Sequence, residues 1–307
     1  MKTGIPLLLE MLTYRRPAFS TTDELFCQRF IEPTGAVRDG FGNYLLRVGP
    51  RGITDDPPRV AWCAHTDTVH RIPGRQRLSI RKGIVRAPPG QGSNCLGADD
   101  TTGVWLLLEM IRANVPGLYI FHRAEEKGCQ GSDYIARETP EVLDGIDYAI
   151  AFDRRGYDSI VTHQVGARTA SDSFAWSLAA QLPPGMSPDD GGVYTDTERY
   201  AELVAECTNV SVGYDCAHSA TEWQDLDFAK QLRDAMVRID PSGFACERVP
   251  APPVYGTASY WDDELPVEPD DQGGPGEDCA CCGRTVEQAY LFAGEFVCRP
   301  CFDELFE

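Results

Sequence analysis

Four short apolar runs dominate the first two-thirds of the chain: RVAWCAH (59–65), GLYIFHRA (117–124), DYAIAFD (147–153) and NVSVGY (209–214). Runs this short, with so little polar alternation, fit strands buried on both faces. Helical patterning lies between or after them, at 101–114, 132–140, 171–182 and 223–239. Strands alternating with helices predict an α/β fold, a three-layer sandwich around a largely parallel sheet. Ligands gather beyond the carboxyl ends of the strands in such sheets, so the run ends hold the functional information.

Those ends share one chemistry. The first run stops at His65, with Asp67 two residues on; the second is followed by Glu125-Glu126 and the loop to Ser132. The third ends in Asp153, and the fourth is followed by Asp215, Cys216, Ala217 and His218. A loop at 91–100, QGSNCLGADD, delivers Asp99 and Asp100 at the start of a helical stretch. A lone His-x-Asp at a strand end is ordinarily a solvated terminus. Five such endings converging on one face of a sheet, in a chain with only five histidines, point to a site.

Imidazoles and carboxylates are the donors that zinc accepts at catalytic sites. Two ions about 3.5–4 Å apart need a bridging carboxylate and private ligands on each side. A further carboxylate, held off the metal, can serve as general base. The residue inventory supplies all of these.

In their order and combination, His65-Thr66-Asp67, Gly97-Ala98-Asp99-Asp100 with Gly103, Glu125-Glu126 with Gly128 and Gly131-Ser132, Asp153 and His218 resemble the co-catalytic zinc exopeptidases. That superfamily includes peptidase T, the carboxypeptidase-type deacylases and the leucyl, glutamyl and bacterial secreted aminopeptidases. The likeness runs from about Asp39, in the DGFGN turn, to His218 and Glu222. It implies that His65 and Asp153 hold one zinc, Glu126 and His218 a second, and that Asp99 bridges them. It also implies that Asp67 orients His65, that Glu125 is the general base, and that the Asp99–Asp100 peptide bond is cis. His/carboxylate sites accept cobalt or manganese as well as zinc.

Spacing narrows the branch. Asp153 and His218 are 65 residues apart, and His65 and Asp99 34, too few for the inserted domains that relatives carry in those gaps. A bare catalytic domain of aminopeptidase type is therefore expected, acting on small peptides or aminoacyl compounds by their free amino terminus. The alternatives are an N-acyl amino acid deacylase and a non-catalytic, metal-loaded binding protein. Arg154-Arg155 beside Asp153 suits either a substrate anion or surface ion pairs. His70, His122 and His163 read as structural or surface residues, and Cys129 as a packed thiol. Thr195 and Asp196, in GGVYTDTERY, match a stretch that lines the substrate side in the family.

The remaining composition defines what surrounds this domain. A length of 307 residues allows one sizeable domain, expected at 1–240, plus something small. A Pro-, Gly- and acid-rich linker is expected at 241–277, then a compact unit at 278–307. There Cys279-x2-Cys282 and Cys298-x2-Cys301, with fifteen residues between the pairs, form the pattern of a structural zinc ribbon with four thiolates. The net charge of −19 opposes nucleic-acid binding, since such surfaces carry a basic footprint. Residues 262–307 hold 13 Asp and Glu against 2 Arg, so the acidic ribbon points to a protein partner or to the chain's own domain. With no signal-peptide pattern at the start and no apolar run long enough for a membrane, a cytoplasmic location is expected.

Overall fold

The run at 59–65 becomes a strand in which every residue from Val60 to His65 is buried. In this computed structural model the described residues are 2–54 and 59–250, with the backbone of four short strands nearer the C-terminus. The chain divides into two compact units, Met1–Ala251 and Pro252–Glu307.

The first unit is built on a nine-stranded sheet. Its main strands are β1 Val37–Arg38, β2 Tyr44–Gly49, β3 Val60–His65, β4 Gly117–His122, β5 Tyr148–Arg154, β6 Ser159–Val161, β7 Ser187–Asp189 and β8 Glu206–Ser211. They lie in the order β7-β6-β8-β5-β3-β4-β2-β1, and Gly52–Ile53 pairs at the edge with β2. The central four, β8, β5, β3 and β4, are mutually parallel, whereas β2 joins β4 antiparallel. Four carboxyl ends therefore open on one edge of the sheet.

Side-chain alternation splits the core into two layers. Val60, Trp62 and Ala64 share a cluster with residues of helices α1 (Ile5–Met11), α3 (Ala98–Arg112), α5 (Asp172–Ala179) and α6 (Leu226–Met236). Ala61 and Cys63 belong instead to a second cluster with Ile135 of α4 (Gln130–Glu138) and Tyr200. Here α2 is the short helix Thr21–Phe26, whose Phe26 joins the larger cluster. A small antiparallel sheet, Tyr214–Asp215, Trp223–Asp225, Ile84–Arg86 and Ser79–Arg81, carries the loop with His218. The α/β class and largely parallel sheet agree with the sequence expectation.

Two boundaries differ. β8 begins at Glu206, three residues before the predicted run, because its first residues are polar yet buried. The Glu206 side-chain oxygens accept from Ser171 N (2.6 Å), Ser171 Oγ (2.8 Å), Glu247 N (2.8 Å) and Arg248 N (3.0 Å). The first unit also runs past residue 240, so 241–250 is not linker. Phe244 packs edge-on against Tyr148 and Phe174, and Arg248 donates to the carbonyls of Ala201, Val204 and Ala205. One aromatic ring and one guanidinium fix a segment whose composition reads as linker.

In the second unit Glu277–Asp278 pairs antiparallel with Thr285–Val286, and Ala289–Phe292 with Glu295–Cys298. The expected ribbon ligands Cys279, Cys282 and Cys301 lie outside the described residues, and of Cys298 only the backbone is described. Among the described residues no helix is long and apolar enough to cross a membrane.

Glu206→Ala would leave the two buried donors of Ser171 without their acceptor, at about 1–3 kcal/mol for each unsatisfied group, and would free the part-buried N–H groups of Glu247 and Arg248. We expect a clear drop in the urea midpoint of unfolding, with the secondary structure by circular dichroism unchanged in native buffer.

Candidate metal centre

His65 closes β3 with its ring buried, and Asp153 sits next to the end of β5. Between Ala151 and Arg154, β5 carries one residue more than β8 opposite it, a bulge that re-aims the Asp153 side chain. Asp99 and Asp100 lie in the first turn of α3, with non-helical backbone and a cis peptide bond between them. Glu125 and Glu126 form a 3-10 turn directly after β4. His218 projects from the small sheet with half its side chain exposed (52%).

These groups converge. His65 Nε2 lies 3.1 Å from Asp99 Oδ1 and 3.6 Å from Asp153 Oδ1. On the other side, His218 Nε2 lies 3.3 Å from Asp99 Oδ2 and 3.3 Å from Glu126 Oε2. Asp99 thus presents one oxygen to each imidazole. Glu125 stands further back, its Oε2 3.9 Å from His65 Nε2. The seven residues to which the resemblance gives roles meet here, Asp67 among them. Asp67 lies 3.5 Å from His65 Nδ1, and its two oxygens accept from the backbone N–H groups of Glu125 and Glu126. One carboxylate therefore ties the His65 strand to the Glu-Glu turn.

Local backbone chemistry explains the motif glycines. A Cβ on Gly103 would lie 2.4 Å from Asp100 Oδ1 and 2.5 Å from the Phe152 carbonyl, so only glycine lets α3 approach β5. A Cβ on Gly131 would meet Asn43 Oδ1 at 2.2 Å. Asn43, in the DGFGN turn, accepts from Arg123 N and donates to Gly131 O, clasping the Glu125–Glu126 loop at both ends.

Glu222 and Asp100 lie within the resemblance, but their supporting contacts, and Arg16 altogether, escaped the sequence reading. Glu222 accepts from four consecutive backbone N–H groups, Leu96, Gly97, Ala98 and Asp99, and so shapes the approach to Asp99. Asp100 accepts from His65 N at 3.1 Å and from Gly103 N at 2.9 Å. Fully buried Arg16 donates to Thr66 O (2.6 Å) and Thr101 Oγ1 (2.9 Å), bridging the two segments that carry His65 and Asp99. Nothing in residue spacing signals an arginine 49 positions before His65.

The remaining expectations sort by burial. His70 and His122 are buried structural residues: His70 pairs with Thr68 and Gln76, and His122 Nε2 with Tyr200 OH at 2.6 Å. Cys129 is a packed thiol, as expected, with its Sγ 3.6 Å from Glu125 Oε1. Arg154 is engaged with Asp189 and the Gly191 carbonyl. Thr195 and Asp196 are buried rather than lining a substrate surface. Thr195 instead donates to Asp153 Oδ2 at 3.0 Å.

The electrostatics favour a cationic guest. Burial, then repulsion from Asp99, pushes the Asp153 carboxyl up to about 7. Burial also raises Glu126, and with Glu126 and Asp153 nearby it raises Glu125 well above the usual range. Burial opposes charge on His65, but Asp153, Asp67 and Asp99 together hold its pKa well up. Glu126 Oε1 is buried without a protein partner. Imidazole and carboxylate donors around two adjacent foci, crowded negative charge and a vacant acceptor all fit divalent ions.

Residues 50–188 match the family model described as Peptidase family M28. That span encloses six of the seven convergent residues, and His218 lies beyond it. Over that span the chain is similar to the M28 peptidases, in keeping with the resemblance to the co-catalytic zinc exopeptidases. The M28-type domain is a metal-dependent peptide hydrolase. No curated protein matches the chain.

Solved structures share the exopeptidase fold at low identity. Aminopeptidase PepT from Bacillus cereus ATCC 10987 superposes with a TM-score of 0.58 at 15% identity, over 76% of this chain and 96% of that one. A tripeptidase from Staphylococcus aureus gives 0.61 at 14%, over 76% and 95%. The TET1 peptidase of Pyrococcus horikoshii gives 0.54 at 16%, over 76% and 98%.

Arg16 is the buried cation beneath this domain's acidic edge. Arg16→Met would remove a positive charge close to Asp23, Asp67 and Asp100 and leave the buried Thr66 carbonyl and Thr101 hydroxyl without their donor, at about 1–3 kcal/mol for each unsatisfied group. The expected result is a large fall in the urea midpoint, and a midpoint within error of wild type would refute the assignment.

Proposed function

We propose that this domain is an aminopeptidase-like amide hydrolase for small peptides or aminoacyl compounds, working with a pair of zinc ions. His65 and Asp153 would hold one ion and Glu126 and His218 the other, with Asp99 between. Cobalt or manganese would satisfy the same donors. Such a pair, when bound, polarises a scissile carbonyl and lowers the pKa of a water. The observation that carries the reading is Asp99, with one oxygen facing each imidazole.

The chain's own groups then divide the work. Glu125 is set back from the paired foci, in reach of a water but held by its own backbone N–H to Asp67. It takes the water's proton and hands it to the leaving amine. Asp67 keeps the His65 ring turned toward Asp99. Half-exposed His218 leaves the site open on one side for a substrate.

The free amino terminus as the recognised group rests on the short intervals between ligands. The chain between His65 and Asp99 is used by strands 79–81 and 84–86, and that between Asp153 and His218 by β6, α5, β7 and β8. No length remains for a substrate-covering insertion. We assign Cys279, Cys282, Cys298 and Cys301 to a structural zinc, by their spacing, and the acidic ribbon to a protein contact. A cytoplasmic location is in keeping with reduced thiolates.

Three measurements test this. Native mass spectrometry should find three metal ions per chain, falling to one when Asp99 and His218 are both replaced by alanine. Glu125→Gln should keep all three ions and lose about 10²–10⁴-fold in kcat. On paired peptides, a free amino terminus should be required; faster turnover of N-acylated substrates would select the deacylase alternative. Full metal loading without turnover of either class would leave a binding protein.

A further inference from the structure

Asp153 is gripped closely at three of its four polar atoms. Its N–H donates to Asn209 Oδ1 at 2.9 Å, and its carbonyl accepts from Tyr214 OH at 2.8 Å. Its Oδ2 accepts from Thr195 Oγ1 at 3.0 Å. Oδ1 is left facing His65 Nε2 at 3.6 Å, with Tyr214 OH a distant 3.4 Å contact. The bulge in β5 lies at this point, so the backbone turns the side chain and the hydroxyl of Thr195 chooses between its oxygens.

Thr195 is itself held from behind. The next residue, Asp196, is buried, accepts from Ser132 Oγ at 2.6 Å, and has its Oδ2 3.0 Å from His122 Nδ1. The far nitrogen of His122 shares a hydrogen bond with Tyr200 OH at 2.6 Å. Ser132 lies in the first turn of α4, and its Oγ is 3.0 Å from the carbonyl of Cys129, whose thiol touches Glu125. None of Ser132, Thr195, Asp196, His122 or Tyr200 belongs to the convergent set, and all are buried. The network therefore joins the Asp153 side of the centre to the Glu125–Glu126 turn through the protein interior.

We propose that Thr195 is a positioning residue of the metal centre. Its hydroxyl occupies Oδ2 of Asp153 so that Oδ1 alone is offered to an ion, and the Ser132–Asp196–His122–Tyr200 network holds it in place. Residues that orient a ligand in this way commonly change metal affinity by about 10–100-fold when replaced. The inference rests on the paired-ion reading above.

The test uses the full chain with Thr195→Val, which keeps the shape and removes the hydroxyl, and Thr195→Ser, which keeps the hydroxyl. Zinc affinity is measured by chelator competition, ion number by native mass spectrometry, and folding by circular dichroism. The expected result is that Thr195→Val weakens one ion of the pair about 10-fold or more, while Thr195→Ser stays close to wild type. Ser132→Ala, two bonds removed, should weaken the same ion by a smaller factor, and it decides the matter if Thr195→Val does not fold. Wild-type affinity in Thr195→Val, or equal weakening by Val and Ser, overturns the positioning role. Wild-type protein that binds no paired ions overturns the metal reading itself. The two failures are distinguished by the wild-type ion count alone.

Discussion

Asp99 stands between two imidazoles, and the surrounding domain exists to keep it and its acidic neighbours there. Seven carboxyl groups, those of Asp67, Asp99, Asp100, Glu125, Glu126, Asp153 and Glu222, crowd the carboxyl edge of the parallel sheet. Like charges so close would drive the loops apart unless each is answered. The answers are distributed through the chain. Glu222 and Asp67 are met by backbone N–H groups, Asp100 by N–H groups of His65 and Gly103, and the whole edge is underpinned by the buried guanidinium of Arg16. Asp99, Glu126 and the outward oxygen of Asp153 face the imidazoles of His65 and His218 instead of backbone N–H groups, and this is where a divalent ion has electrostatic reason to sit.

Aim is the second problem, and backbone irregularity solves it. Ala124 and Cys129 adopt positive φ (60° and 57°) on either side of the Glu125–Lys127 turn, as His218 does in its loop (61°). Such conformations are uncommon outside glycine and persist where packing over-determines them. Here the over-determination is visible: Asn43 clasps the loop, Asp67 accepts from its N–H groups, and Gly131 permits the close approach that both require. The bulge that turns Asp153 is the sheet's version of the same device.

Much of this was legible in one dimension. A parallel strand buried on both faces must be apolar nearly throughout, so VAWCAH and its counterparts stand out, and where each stops the sheet's edge begins. The imidazole and carboxylates at or just past those stops, His65, Glu126 and Asp153, could therefore be singled out before any coordinates. β8 was harder, since Glu206 and Thr208 look like surface residues until their partners at Ser171 and Val161 are known. The segment 241–250 misled for the converse reason: a composition that reads as linker conceals Phe244 and Arg248, which anchor it.

One-dimensional information fixed the succession of chemistry: which residue types arrive at the sheet edge and in what order along the chain. It did so because burial and periodicity are local properties. Tertiary structure alone decided which oxygen faces which imidazole, that Arg16 lies beneath Thr66 and Thr101, that Glu222 cradles the approach to Asp99, and that Thr195 reaches Asp153. Those partners are separated by 34 to 126 residues, and nothing in the local pattern of either member encodes the other. Such pairings arise only when packing brings both to a place from which water has been removed, where an unmet polar group is costly enough to select its partner.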